Sequence, residues 1–76
     1  MTDPTNWRGT RDAYLSAVAG RVRLSRAFDA AGLAGDLIKR EQIYPALAVA
    51  RYAEEQCRLA FQQATTDIVN RLEEAA

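Results

Sequence analysis

The chain has 76 residues, ten of them basic and ten acidic, with no histidine and a single cysteine. Neutral charge argues against a strongly basic nucleic-acid binder and against an acidic mimic of DNA. The lone cysteine excludes an internal disulfide, and the absence of histidine removes the commonest metal ligand and general base. A core of this size supplies only about 3–5 kcal/mol, so a partner subunit is the expected staple.

Residues 1–6 (MTDPTN) are polar and contain a proline, which predicts a frayed, disordered tail ahead of a single helical domain over residues 7–76. Thr5 or Asn6 could cap a first turn, and Thr10 with Asp12 offers a second start. From Trp7 or Thr10 to Ala31 a helix runs unbroken, weakened at Gly20. At 100° steps, Tyr14, Leu15, Ala17, Val18, Val22, Leu24, Phe28 and Ala31 share one arc. Trp7 is expected to close one end of the core, with stacking on a base or lipid as the alternative.

Gly32 and Gly35 end this helix, Gly32 as the expected left-handed C-cap, and Asp36 is placed to cap a restart at Leu37. Pro45 either kinks one helix from about residue 37 or opens a new one after a short 37–44 piece; the bias of Tyr44 away from αR favours a kink or short break. Beyond it, Ile43, Leu47, Ala50, Cys57, Phe61, Ala64, Ile68 and Leu72 recur at steps of three and four, with Glu54 on the missed beat. On this stripe Cys57 reads as a small hydrophobe. The predicted fold is all-α: a helical hairpin of two long antiparallel helices with a short middle segment or Pro kink, self-associating.

Two charged residues interrupt the apolar faces, Arg21 on the first helix and Glu54 on the last. A separate middle segment sets a register in which Arg21 faces Glu54, Val18 faces Cys57 and Phe28 faces Leu47. If residues 36–44 simply extend the last helix, the pair should miss by about a turn. A core polar pair here would fix register or oligomer state, and a polar site in a groove is the functional alternative. Tyr52 and Leu59 fall on the opposite side of the last helix, near Gln56 and Gln63, and are the candidate oligomer or partner surface.

Residues 1–40 hold seven basic and four acidic residues and residues 41–76 hold three and six, a split of +3 and −3. Attraction between the two helices accounts for this, and a basic face built from Arg8, Arg11, Arg23 and Arg26 is the alternative, as a nucleic-acid contact. No catalytic, cofactor or metal constellation is recognisable. No apolar run approaches the roughly 18 residues of a membrane span and no signal-peptide core is present, so a cytoplasmic protein is expected.

Ala30-Ala31-Gly32 and the run Gly35-Asp36-Leu37-Ile38-Lys39-Arg40-Glu41-Gln42-Ile43, followed by the alanine-rich stretch Ala46 to Arg58, resemble the C-terminal assembly region of phage terminase small subunits. The resemblance runs from Leu24 to Leu72. It implies a small DNA-packaging accessory that forms a homo-oligomer, touches DNA weakly and without sequence preference, and engages the large terminase subunit. Two departures stand out: too few residues precede the motif for the family's helix-turn-helix, and Gln62-Gln63-Ala64 replaces its Leu-Pro element. From the residues alone, a helical interaction module that inhibits or regulates a host enzyme, as phage inhibitors, anti-defence proteins and antitoxins do, fits the same features. An enzyme is not expected.

Overall fold

The computed structural model describes the backbone of residues 4–75 and the side chains of residues 7–75. It is a hairpin of two α-helices, α1 over Pro4–Leu33 and α2 over Leu37–Ala75. They run antiparallel: Trp7 lies against Phe61, and Phe28 against Tyr44. Helix α1 begins at Pro4, earlier than Trp7 or Thr10. Proline suits a first turn, where its missing N–H has no helical acceptor. The tail expected over residues 1–6 therefore falls partly on α1, and residues 1–3 lie outside the described residues. Thr10 is not a cap but sits inside the helix, its hydroxyl donating back to the Trp7 carbonyl at 2.8 Å.

The turn is closed by backbone hydrogen bonds on both sides of Gly35. Gly35, not Gly32, is the left-handed residue (φ 73°). Its N–H donates to the Gly32 carbonyl at 3.2 Å while Asp36 N–H reaches back to Ala31 at 2.9 Å, the paired bonds of a Schellman motif. Gly32 is displaced from the expected capping role because α1 continues one further residue, to Leu33. Asp36 then starts α2: its Oδ1 accepts the Lys39 N–H at 3.1 Å and its carbonyl the Arg40 N–H at 3.1 Å.

Helix α2 runs unbroken through Pro45, so residues 37–44 form neither a separate piece nor a break. Pro45 and Glu41 are both exposed, and the carbonyl that loses its partner to the proline ring belongs to a turn that water reaches. The molecule is a rod of 59 × 15 × 14 Å with a radius of gyration of 17.2 Å, against about 11 Å for a compact domain of this length.

Its core is thin. Among the described residues Ala31, Leu47 and Ala64 are buried, while ten large hydrophobics are exposed. Ile43, Ala50, Cys57, Phe61 and Ile68 line the helix contact half-buried, as their spacing predicts. Leu15 and Leu72 depart from expectation. Leu15 sits at the edge of its arc and is 56% exposed. Leu72 is exposed because the 39-residue α2 outruns the 30-residue α1, by about 13 Å at 1.5 Å per residue.

Candidate functional site

Arg21 and Glu54 meet at mid-hairpin. Arg21 Nε donates to Glu54 Oε2 at 2.6 Å and Nη2 to Oε1 at 3.4 Å, with side chains 33% and 21% exposed. The unbroken α2 did not make the pair miss. Helix side chains lean towards their own N-terminus, which in an antiparallel hairpin carries the long Arg21 side chain along α2 towards Glu54. The hydrogen bond and the charge of Glu54 hold the Arg21 guanidinium still further above its already high pKa. The pair fills one wall of an open groove of about 290 Å³ that also takes in Ser25, Arg51 and Glu55. Glu55 is occupied by Arg58, at 2.6 and 3.0 Å, which leaves Arg51 as the unpaired charge there. The groove can hold an anionic group but has no poised acid or base.

The four arginines of α1 do not form one cluster. Arg8 and Arg26 lie on one exposed side five turns apart, roughly 27 Å along the axis, with Arg23 turned about 60° from them. None of the three has an ion-pair partner among the described residues. Arg11 is drawn inwards, 5.4 Å over the Trp7 ring and paired with Asp12 at 3.2 Å. Trp7 itself closes the open end of the hairpin, its ring tilted 44° against Phe61 with centroids 5.6 Å apart and its Nε1–H donating to Thr65 Oγ1 at 2.9 Å. The +3 and −3 halves meet through Arg21–Glu54; the pairs Arg11–Asp12 and Arg58–Glu55 each lie within one helix.

Tyr52 (69% exposed) and Leu59 (46%) do share the outward side of α2, as their spacing predicts. Sequence reasoning missed the apolar end of the hairpin. Leu33 (92%), Leu37 and Tyr44 stand out there, and Arg40 packs over Phe28 at 4.5 Å to close a pocket of about 220 Å³. The signal was two leucines flanking the Gly35–Asp36 turn, where solvated connections favour polar residues. Among the described residues no group of acidic or sulfur ligands could hold a metal, and no helix is long and apolar enough to cross a membrane.

Comparison with protein-family models, curated proteins and solved structures finds no match to this chain.

Proposed function

We propose that this protein is an assembly module of a phage-type DNA-packaging apparatus, resembling a small terminase subunit, which self-associates and contacts DNA weakly through the outer side of α1. The observation that carries the assembly part is the imbalance, among the described residues, between three buried residues and ten exposed large hydrophobics. A monomeric protein rarely leaves so much apolar surface to water, and such surface marks contact with protein. The DNA part is supported by Arg8, Arg23 and Arg26, which are exposed and uncommitted and lie along a rod. The packaging context comes from the resemblance of residues 24–72, in which the large terminase subunit is the expected partner.

Fluorescence anisotropy with a labelled duplex over a salt series tests this reading. Affinity falls steeply with salt, each neutralised phosphate adding about −0.9 to the log–log slope. Changing Arg23 and Arg26 together to alanine lowers that slope without creating or removing sequence preference, because phosphate contacts position a protein but do not read bases. No binding at about 50 mM salt removes DNA from the proposal. The second reading, a module that inhibits or regulates a host enzyme, is favoured by the apolar pocket of Phe28, Leu37, Arg40 and Tyr44 at the hairpin end. Under that reading, substitutions at Leu37 abolish activity and those at Arg23 and Arg26 do not.

A further inference from the structure

From Ile38 to Asn70, steps of four and three residues trace ten positions on the outward side of α2, and all ten are exposed. None of them is charged, although 11 of the 39 residues of α2 are. An ordinary solvated stripe carries its share of charge, whereas the centre of a protein interface is depleted of it. Ile38 (73% exposed), Val49 (68%), Tyr52 (69%) and Leu59 (46%) alternate along this stripe with Gln56 and Gln63. The 3–4 spacing is that of a coiled-coil seam, and it lies on the far side of α2 from the seam that meets α1.

We infer that this stripe docks on the same stripe of a second copy of the chain, antiparallel, about a two-fold axis close to Tyr52; the inference deepens the self-association proposed above. Three observations select a second copy. The chain exposes 5671 Å², about 1,000 Å² more than the roughly 4,600 Å² of a folded monomer of 8.4 kDa. That excess is close to the 800 Å² or so that each partner contributes to a stable interface. A seam this long and uncharged needs a helix of matching length and character, which α2 itself provides. Gln63 donates to Asp67 at 2.9 Å, and the two-fold places Gln42 of the second copy beside it, whose amide can donate to the oxygen that Gln63 leaves over.

Charge selects the direction. A parallel pair sets the exposed Lys39 and Arg40 beside their own copies, and Glu73 and Glu74 beside theirs, with the helix dipoles aligned. The antiparallel pair separates all of these and places Ile38 near Thr66 of the second copy.

Light scattering, circular dichroism and cysteine cross-linking of the full chain decide the matter. At about 100 μM the wild type should weigh about 17 kDa, twice the 8.4 kDa chain. Tyr52→Glu, which puts a charge in the seam, should halve that mass while the protein stays helical. In a Cys57→Ala background, Tyr52→Cys should form an intermolecular disulfide under mild oxidation, and Arg51→Cys, exposed but off the stripe, should not. Ile38→Cys should cross-link to Thr66→Cys in a mixture; efficient linkage of Ile38→Cys to itself overturns the antiparallel arrangement. An oligomer that survives Tyr52→Glu and does not cross-link at position 52 overturns this surface and leaves self-association standing. A wild-type monomer at that concentration overturns both. If Tyr52→Glu unfolds, the cross-linking pattern alone decides.

Discussion

Arg21 of α1 and Glu54 of α2, thirty-three residues apart in sequence, form a two-bond fork across the hairpin at 2.6 and 3.4 Å. Each sits where its helix would otherwise place an apolar residue, so the fork trades packing for a contact that tolerates no slip. Removing one partner leaves the other half-buried at the groove wall without its two-bond fork.

Arg21→Met and Glu54→Leu should therefore each lower the melting temperature, while the double variant melts near or above the wild type. A thermal-melt double-mutant cycle measures the coupling. Additive effects would show that the two residues act independently, against the geometry.

Phe61 is the hub of the open end, tilted against Trp7 at 5.6 Å and stacked on Tyr14 at 6.0 Å. Phe61→Ala should cost about 3 kcal/mol, the lower end of the range for buried aromatics because the ring is half-buried. Gln62→Ala, one position round the helix with an exposed side chain that accepts from Arg58 at 3.3 Å, should cost less than about 0.5 kcal/mol. Urea denaturation separates the two.

The glycines should respond in opposite directions. A Cβ on Gly20 meets nothing within 4 Å, so Gly20→Ala should stabilise α1 by about 0.5–1 kcal/mol through helix propensity alone. Gly35 holds φ 73°, where an L side chain is strained, and Gly35→Ala should destabilise by about 1 kcal/mol. Equal responses in chemical denaturation would contradict the turn geometry.

The Glu55 carboxyl is held below its ordinary value chiefly by the hydrogen bond from Arg58. A depressed carboxylate contributes stability that is present above the ordinary carboxylate range and is lost as pH falls through the lowered value. Acid titration of the melting temperature should show this loss, and Arg58→Gln should flatten that part of the curve. The effect is small, because both side chains are about half exposed.

The sequence reading captured what periodicity controls. The stripe of α2, the outward Tyr52 and Leu59, and Glu54 on the missed beat follow from residues spaced at three and four; its meeting with Arg21 does not, since an unbroken α2 was expected to carry the pair past each other by about a turn. It failed where a local signal competes with tertiary context. Pro45 was read as kinking one helix from residue 37 or as a short break; the break is absent, because helix packing on both sides of the proline and its exposed location keep α2 whole. Gly32 and Gly35 are both plausible caps, and the sequence carries no measure of which adopts positive φ. Arg11 falls between Val18 and Val22 on the apolar arc at 100° steps, a signal the sequence reading passed over; the ring it packs on belongs to Trp7, held by a residue 58 positions away. The exposure of Leu72 depends on the unequal lengths of the two helices, which is a property of the pair and of neither alone.

Asp36 belongs to both helices at once, donating its N–H back into α1 and receiving the N–H of Lys39 from α2. The connection has no spare residue, so it acts as a gauge that sets the rotational phase of one helix against the other. Adding a single residue to it must either undo both caps or turn α2 by about 100°, one residue's share of a helical turn. The second outcome would swing Leu47 into water and carry Glu54 away from Arg21. Surface connections elsewhere absorb insertions cheaply, but here the spacing of three residues is dimensional information for the whole rod.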